Sequence, residues 1–304
     1  MRYNRLNQSS EDLGIKGSCA VGLVLAVVSV SLLAAAAPAR GAGDPLDAIV
    51  QEANQQLADH GANVEVGSID LFTVGKGRPT DREHQNPFRR VPYDARRNAD
   101  GSKITYIVRR SLGATSNGLS NAQTEPAISA AVATWASNSC VANAPIVKRS
   151  DPGTDVDVFD ELIGQGDSAT PDFGNLFSPH ADIIDAGFRP RAFFDRLSPG
   201  GGDFIIGITI TFFYRTDVNN DHYFDTALAE TYYNDNFVWS IGGELPTVDV
   251  QSVALHENGH ALGLGHFGPP PDAVMNPVYT GIKRTPFGTD HAGVCSVWGA
   301  WPNR

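Results

Sequence analysis

Three histidines and one glutamate fall within the thirteen residues HENGHALGLGHFG, 256–268, at spacings suited to a metal-centred hydrolytic site. His256 and His260 are four apart. Four helical residues turn through about 400° and rise about 6 Å, so both imidazoles leave one face and can meet one ion at about 2.0–2.1 Å. Glu257 lies about 100° further round, badly placed to ligate but well placed to take a proton from water at the ion. Gly263 has no Cβ and can end the helix in a left-handed turn, which lets His266 return as a third ligand. Three neutral imidazoles leave the ion its full charge, so water there can lose its proton near neutral pH. The competing reading is a buried, hydrogen-bonded histidine cluster without a metal. It must explain Gly263 and His266 at the required spacing as well as the HExxH core.

The string His256-Glu257-x-x-His260-x-x-Gly263-x-x-His266 resembles the extended zinc motif of the metzincins. Nine residues beyond His266, Met275 with Pro277 and Tyr279 matches the Met-x-Pro-x-Tyr of the matrixin Met-turn. Within the clan the chain is most similar to a secreted bacterial relative of the matrixins, the matrix metalloproteinase family. The resemblance implies an α+β catalytic domain: a small twisted mixed sheet, an active-site helix, a C-terminal helix and zinc in the cleft. It implies a zinc-dependent endopeptidase, with His256, His260 and His266 as ligands and Glu257 as general base. Met275 would lie beneath the metal, and Pro277, Val278 and Tyr279 would line the pocket for the residue after the scissile bond. The metal-binding Tyr of astacin- or serralysin-like metzincins is replaced here by Pro277. Three features depart from the matrixin pattern. Phe267 follows the third histidine where Ser is usual. No Cys occurs between 20 and 139, so the cysteine switch of the pro-domain is missing. No second, structural zinc site stands out.

Several elements must position these groups. Residues 44–62 carry helical spacing at Leu46, Ile49, Val50 and Leu57, stopped by Gly61. The polar, Pro-bearing stretch 75–101 reads as an extended connector or short pro-segment outside the core. A strand at 103–110 and a helix at 121–140 with Trp135 on its apolar side follow, the helix capped by Thr124 or a neighbour. The β-branched run 204–214 reads as an edge strand along which a substrate strand would pair. The active-site helix has Thr247 as N-cap, Asp249 in its first turn and an apolar stripe at Val250, Val253, Ala254 and Ala261. A last helix at 288–301 would be capped by Thr289 or Asp290. The division expected is a signal peptide at 1–39, an N-terminal segment at 40–100 and a catalytic domain at 101–304.

Residues 19–37 are apolar and uncharged, follow Lys16 and end in Ala37-Pro38-Ala39. That is the pattern of a secretory signal cleaved near Ala39, with a permanent membrane anchor as the alternative. The expected location is therefore secreted or periplasmic, without stable membrane association after cleavage. A net charge of −11 argues against nucleic acid as a partner. A protein or peptide substrate and a monomeric state are expected instead. Outside the signal only Cys140 and Cys295 remain, to be paired in a disulfide or left as two buried thiols. Asp217, Asn219, Asp221 and Asp225 alternate like calcium-loop ligands, which would add calcium to zinc as a cofactor. His222 stands at the usual Gly position and Leu228 at that of the closing Glu, so an acidic turn built on Asx hydrogen bonds explains the loop equally well. Two further functions compete with an endopeptidase: an inactive binding protein of the same fold, and a zinc hydrolase acting on a non-peptide amide.

Overall fold

A computed structural model of the protein describes residues 45–75, 87–97, 100–166, 174–243 and 245–302. The stretch read as a signal peptide, with its cleavage point near Ala39, lies outside the described residues. The first half contains α1 (Pro45–Asp59), β1 (Val64–Thr73), β2 (Phe88–Arg89), β3 (Ile104–Val108), α2 (Asn121–Ala136), β4 (Ile146–Lys148), α3 (Phe159–Leu162) and α4 (Gly174–Phe177). The second contains β5 (Ile183–Arg189), α5 (Arg191–Leu197), β6 (Ile205–Tyr214), β7 (Phe224–Asn234), β8 (Trp239–Ser240), β9 (Val248–Asp249), α6 (Val250–Ala261) and α7 (Gly288–Trp298).

The main sheet is mixed, in the order β1-β6-β7-β5-β3-β4, with β2 beside β7. β6 runs antiparallel to both its neighbours, while β7, β5, β3 and β4 are mutually parallel. Strand alternation sorts side chains between two cores. Ile208, Ile210 and Phe212 of β6 join Leu46, Ile49, Ala53 and Leu57 of α1 and Phe193, Phe194 and Leu197 of α5. The other core holds Ala127, Ile128, Ala131, Val132 and Trp135 of α2, Val250, Val253 and Ala254 of α6, and Val294, Val297 and Trp298 of α7. The architecture is the expected α+β domain, with helices on both faces of the sheet.

Three expectations differ from what is observed. β6 is not an edge: β1 pairs with it from Val64 opposite Tyr214 to Thr73 opposite Ile205. No break falls at residue 101 either, because α1 and β1 belong to the same sheet and core as the rest. Burying a Leu or Ile side chain contributes about 1.5–3 kcal/mol, and α1 buries Ile49 and Leu57 almost completely. Part of the stretch expected outside the core is also packed. Phe88 and Val91 are buried, and so are Arg90, Asp94 and Arg97. Arg97 Nε donates to Asp182 Oδ1 at 2.7 Å, and Arg90 Nη2 donates to the carbonyls of Asp182 and Ala261 at 2.9 and 3.1 Å. A polar stretch enters a core only where distant partners satisfy it, which local composition does not reveal.

Helix starts shift by a few residues. Ser120 precedes α2, and its backbone N–H and hydroxyl both donate to Gln123 Oε1 at 3.0 Å. Asp249, not Thr247, caps α6, accepting from the Ser252 N–H at 2.9 Å. Cys140 and Cys295 form a disulfide with Cα atoms 5.0 Å apart, tying the turn after α2 to α7. Among the described residues no helix is long and apolar enough to cross a membrane.

Candidate active site

Helix α6 presents His256, Glu257 and His260 beneath the sheet, all buried to within one per cent. Its end follows from Gly263, whose φ of +91° is a conformation that side chains with a Cβ rarely adopt. The Gly263 N–H bonds the His260 carbonyl at 2.8 Å, and the Leu264 N–H the Gly259 carbonyl at 3.0 Å. This reversal carries His266 back to the first two histidines.

The three rings converge through their Nε2 atoms. His260 Nε2 lies 3.0 Å from His256 Nε2 and 3.2 Å from His266 Nε2. Nitrogen ligands at about 2.0–2.1 Å from a tetrahedral ion stand about 3.3–3.4 Å apart, so the donor set fits zinc with only slight expansion. The far ring nitrogens are held by backbone carbonyls. His256 Nδ1 is 2.7 Å from the Val274 oxygen and His260 Nδ1 is 2.8 Å from the Leu264 oxygen. Donating Nδ1–H to a carbonyl fixes the tautomer that leaves Nε2 a lone pair for the metal. Burial and the neighbouring imidazoles hold His256 well below the usual histidine range. Burial brings His260 down to about 4 despite its bond to Leu264. Both rings are therefore neutral at physiological pH, as ligation requires. Among the described residues this is the one group of His, Cys, Asp or Glu whose donor atoms are close enough to hold an ion.

Glu257 is steered from β6. Thr209 Oγ1 lies 2.7 Å from Glu257 Oε2, while the buried Oε1 accepts no hydrogen bond. Gly207 makes the room, since a Cβ there would stand 2.6 Å from Oε1. Burial pushes the Glu257 carboxyl well above the usual carboxylate range, opposed by Thr209 and reinforced by the charges of Asp70 and Asp185.

The turn after His266 closes the site from the other side. Met275 packs its sulfur against Gly259, where an added Cβ would meet Sδ at 2.4 Å. Two further residues set this turn. Asp290 accepts from the N–H groups of Val274, Met275 and Phe287 at 3.0, 3.1 and 2.6 Å. Asn276 Nδ2 donates to the carbonyls of Phe267 and Pro271 at 2.6 and 3.1 Å. The clue to Asp290 is its place three residues after Phe287, where a carboxylate can reach back to cap α7. Tyr279 stands edge-on to Phe72, Val278 bridges to Thr73, and Tyr279 Oη accepts from the Asp249 N–H at 3.0 Å.

The loop that carries the candidate calcium ligands is built on Asx hydrogen bonds. Asp217 accepts the N–H groups of Asn220 and His222, Asp221 accepts that of Tyr223, and Asn219 donates to Asp221. Asp225 pairs with Arg96 at 2.5 Å. Asn220 and His222 take positive φ to make these bonds. Backbone amides and a guanidinium take up oxygens of Asp217, Asp221 and Asp225, while the buried Asn219 Oδ1 accepts no hydrogen bond.

An HExxH helix, a glycine-ended turn, a third histidine and a methionine turn beneath them define the metzincin class. Residues 208–299 match the matrixin family model, the segment that carries every one of these features. Over 59 residues the chain is 42% identical to matrix metalloproteinase-25 of Mus musculus and of Homo sapiens, which is 19% of this chain and 9% and 10% of those proteins. It is 30% identical to the metalloendoproteinase 2-MMP of Arabidopsis thaliana over 90 residues, 27% of this chain and 24% of that one. The chain thus spans no more than about a quarter of the length of these curated relatives. The site-bearing segment 208–299 is thus similar to the matrixins.

Proposed function

We propose that the protein is a secreted zinc-dependent endopeptidase in which Glu257 is the general base. The observation that carries this reading is the convergence of three Nε2 atoms beside a buried carboxylate with one oxygen held by Thr209 and the other unengaged. His256, His260 and His266 would hold the ion, whose bound chemistry is Lewis-acid polarisation of water and of the scissile carbonyl. Glu257 Oε1 takes the proton of the attacking water and later delivers it to the leaving amine nitrogen. Its raised proton affinity suits the second half of that exchange, and Thr209 keeps the carboxylate pointed at the same place throughout. Main-chain groups of 277–279, and of the β6 edge that β1 now pairs with, are the rails for an extended peptide. Secretion rests on the apolar segment before Ala39.

An inactive binding protein would have no use for a buried carboxylate at position 257. Burying a carboxylate with one oxygen that accepts no hydrogen bond is costly, and a function offsets that cost. The test is Glu257→Gln, assayed for zinc by mass spectrometry and for cleavage of casein or gelatin with and without chelator. Retained zinc with cleavage reduced by about 100-fold or more supports the role. Undiminished, chelator-sensitive cleavage removes it.

A further inference from the structure

We propose that β1 is an internal pseudosubstrate: residues 70–74 occupy the peptide-binding cleft of the site described above and keep the chain latent until they withdraw. The proposal rests on the endopeptidase reading for what the cleft binds, and on sheet geometry for what fills it.

Three observations place the strand. β1 pairs antiparallel to β6 along its whole length, with Asp70 opposite Thr209, Leu71 opposite Ile208 and Phe72 opposite Gly207. Gly207 and Thr209 of β6 lie directly against Glu257. On its other side the same strand pairs in parallel with the segment after Met275. The Thr73 N–H donates to the Pro277 carbonyl at 3.2 Å, and the Tyr279 N–H donates to the Thr73 carbonyl at 2.8 Å. A chain hydrogen-bonded on both edges is held as a bound peptide would be, by main-chain ladders that ask nothing of its sequence. Side chains supply the rest. Phe72 is buried, its ring stacked on that of His256 with centroids 3.7 Å apart and set edge-on to Tyr279 at 5.9 Å. Asp70 brings a second carboxylate to the site, 3.9 Å from His260 Nδ1. Glu257 and the first two histidines are sealed from solvent, so no external peptide reaches them while β1 is docked.

Two consequences follow. The pocket beside His256 takes a large aromatic or apolar side chain, because one already fills it. Latency also needs no cysteine, since two ladder hydrogen bonds and a buried phenyl ring do the blocking.

The experiment uses the zinc-loaded full chain and a peptide hydroxamate carrying a Phe-like side chain. Its affinity for wild type, Phe72→Gly and Thr73→Pro is measured by calorimetry, with cleavage of a quenched fluorescent peptide followed in parallel. If the cleft is open in about one molecule in a hundred, undocking β1 raises the apparent affinity by up to about 100-fold. Both variants should bind at least about tenfold more tightly than wild type. Hydrogen exchange on wild type alone guards against a variant that fails to fold. Saturating hydroxamate should strip protection from the amides of 64–73 and leave those of β7 unchanged. Equal affinities in all three proteins, or hydroxamate bound with β1 still protected, overturns the proposal. Tighter binding and lost protection without any peptide cleavage would uphold the pseudosubstrate and discard the endopeptidase.

Discussion

Replacing Gly259 by alanine adds one methyl group at the crossing of the active-site helix, the methionine turn and α2. The added carbon would lie 2.4 Å from Met275 Sδ, 3.1 Å from its Cε and 3.1 Å from Trp135 Cζ2. Two terms compete. Alanine is favoured over glycine inside a helix by about 1 kcal/mol. Overpacking a filled core costs about 1–3 kcal/mol. The thioether can bend away, but its backbone cannot follow, because Met275 donates to Asp290 and its carbonyl accepts from Phe267. Trp135 is fixed as well, its Nε1 donating to the Leu255 carbonyl at 2.7 Å. Packing therefore wins, with a net loss of about 1–2 kcal/mol and a fall in Tm of about 2–8 °C. The shift also reaches the metal, since Val274, adjacent to Met275, holds His256 through its carbonyl. Disturbing such a contact weakens zinc binding by about tenfold or more, measurable by competition with a chromophoric chelator. A double-mutant cycle isolates the cause. Met275→Ala alone costs about 2–5 kcal/mol, and the double variant should cost less than the sum by about 0.5–3 kcal/mol as the new methyl enters the vacated space. A Tm that rises in Gly259→Ala, or strict additivity in the cycle, would refute this packing argument.

Asp290→Ala should cost about 2–4 kcal/mol, because it strands the buried N–H groups of Val274 and Met275, and zinc affinity should fall with stability in chemical denaturation followed with and without zinc. Asp185 is raised to about 6 by burial, against the opposing bonds from Tyr233 and Asn258, so its contribution to stability is complete below pH 4 and lost as pH rises through 6. Asp185→Asn should therefore match wild type near pH 4 and exceed it at pH 8, by up to about 3 kcal/mol; equal stability at both pH values counts against the shift. The Cys140–Cys295 bridge spans 155 residues, so in the chain-entropy model Cys140→Ser with Cys295→Ser costs up to about 5 kcal/mol, read from urea midpoints, while a change below about 1 kcal/mol would show that the unfolded chain is not its main target.

The parts of the site legible in the sequence are those built by short-range geometry. His256, Glu257 and His260 needed only helical periodicity, and Gly263 and His266 only the turn that ends the helix. Met275 and the 277–279 segment rest on resemblance over a further dozen residues, while Cys140 and Cys295 are the two cysteines outside the expected signal segment, and the sequence leaves open whether they pair. Helix starts were less legible. Thr247 and Asp249 are both good caps, and the choice of Asp249 follows from its partners Arg284 and Gly242, one of them 35 residues away.

What the sequence by itself determined is thus the grouping: three imidazoles and a carboxylate within eleven residues of one another. Only the tertiary structure decided which distant residues act on it. Thr209, Asp290 and Phe72 act on the site across separations of 48, 15 and about 180 residues, and no local pattern distinguishes them from an ordinary strand threonine, a helix cap and a buried phenylalanine. The run 204–214 is the strand its β-branched residues predict, but not an edge. Alternation reports which face of a strand is buried, whereas its hydrogen-bonding edge is claimed by whichever distant segment arrives first, and here that segment is the chain's own residues 64–73.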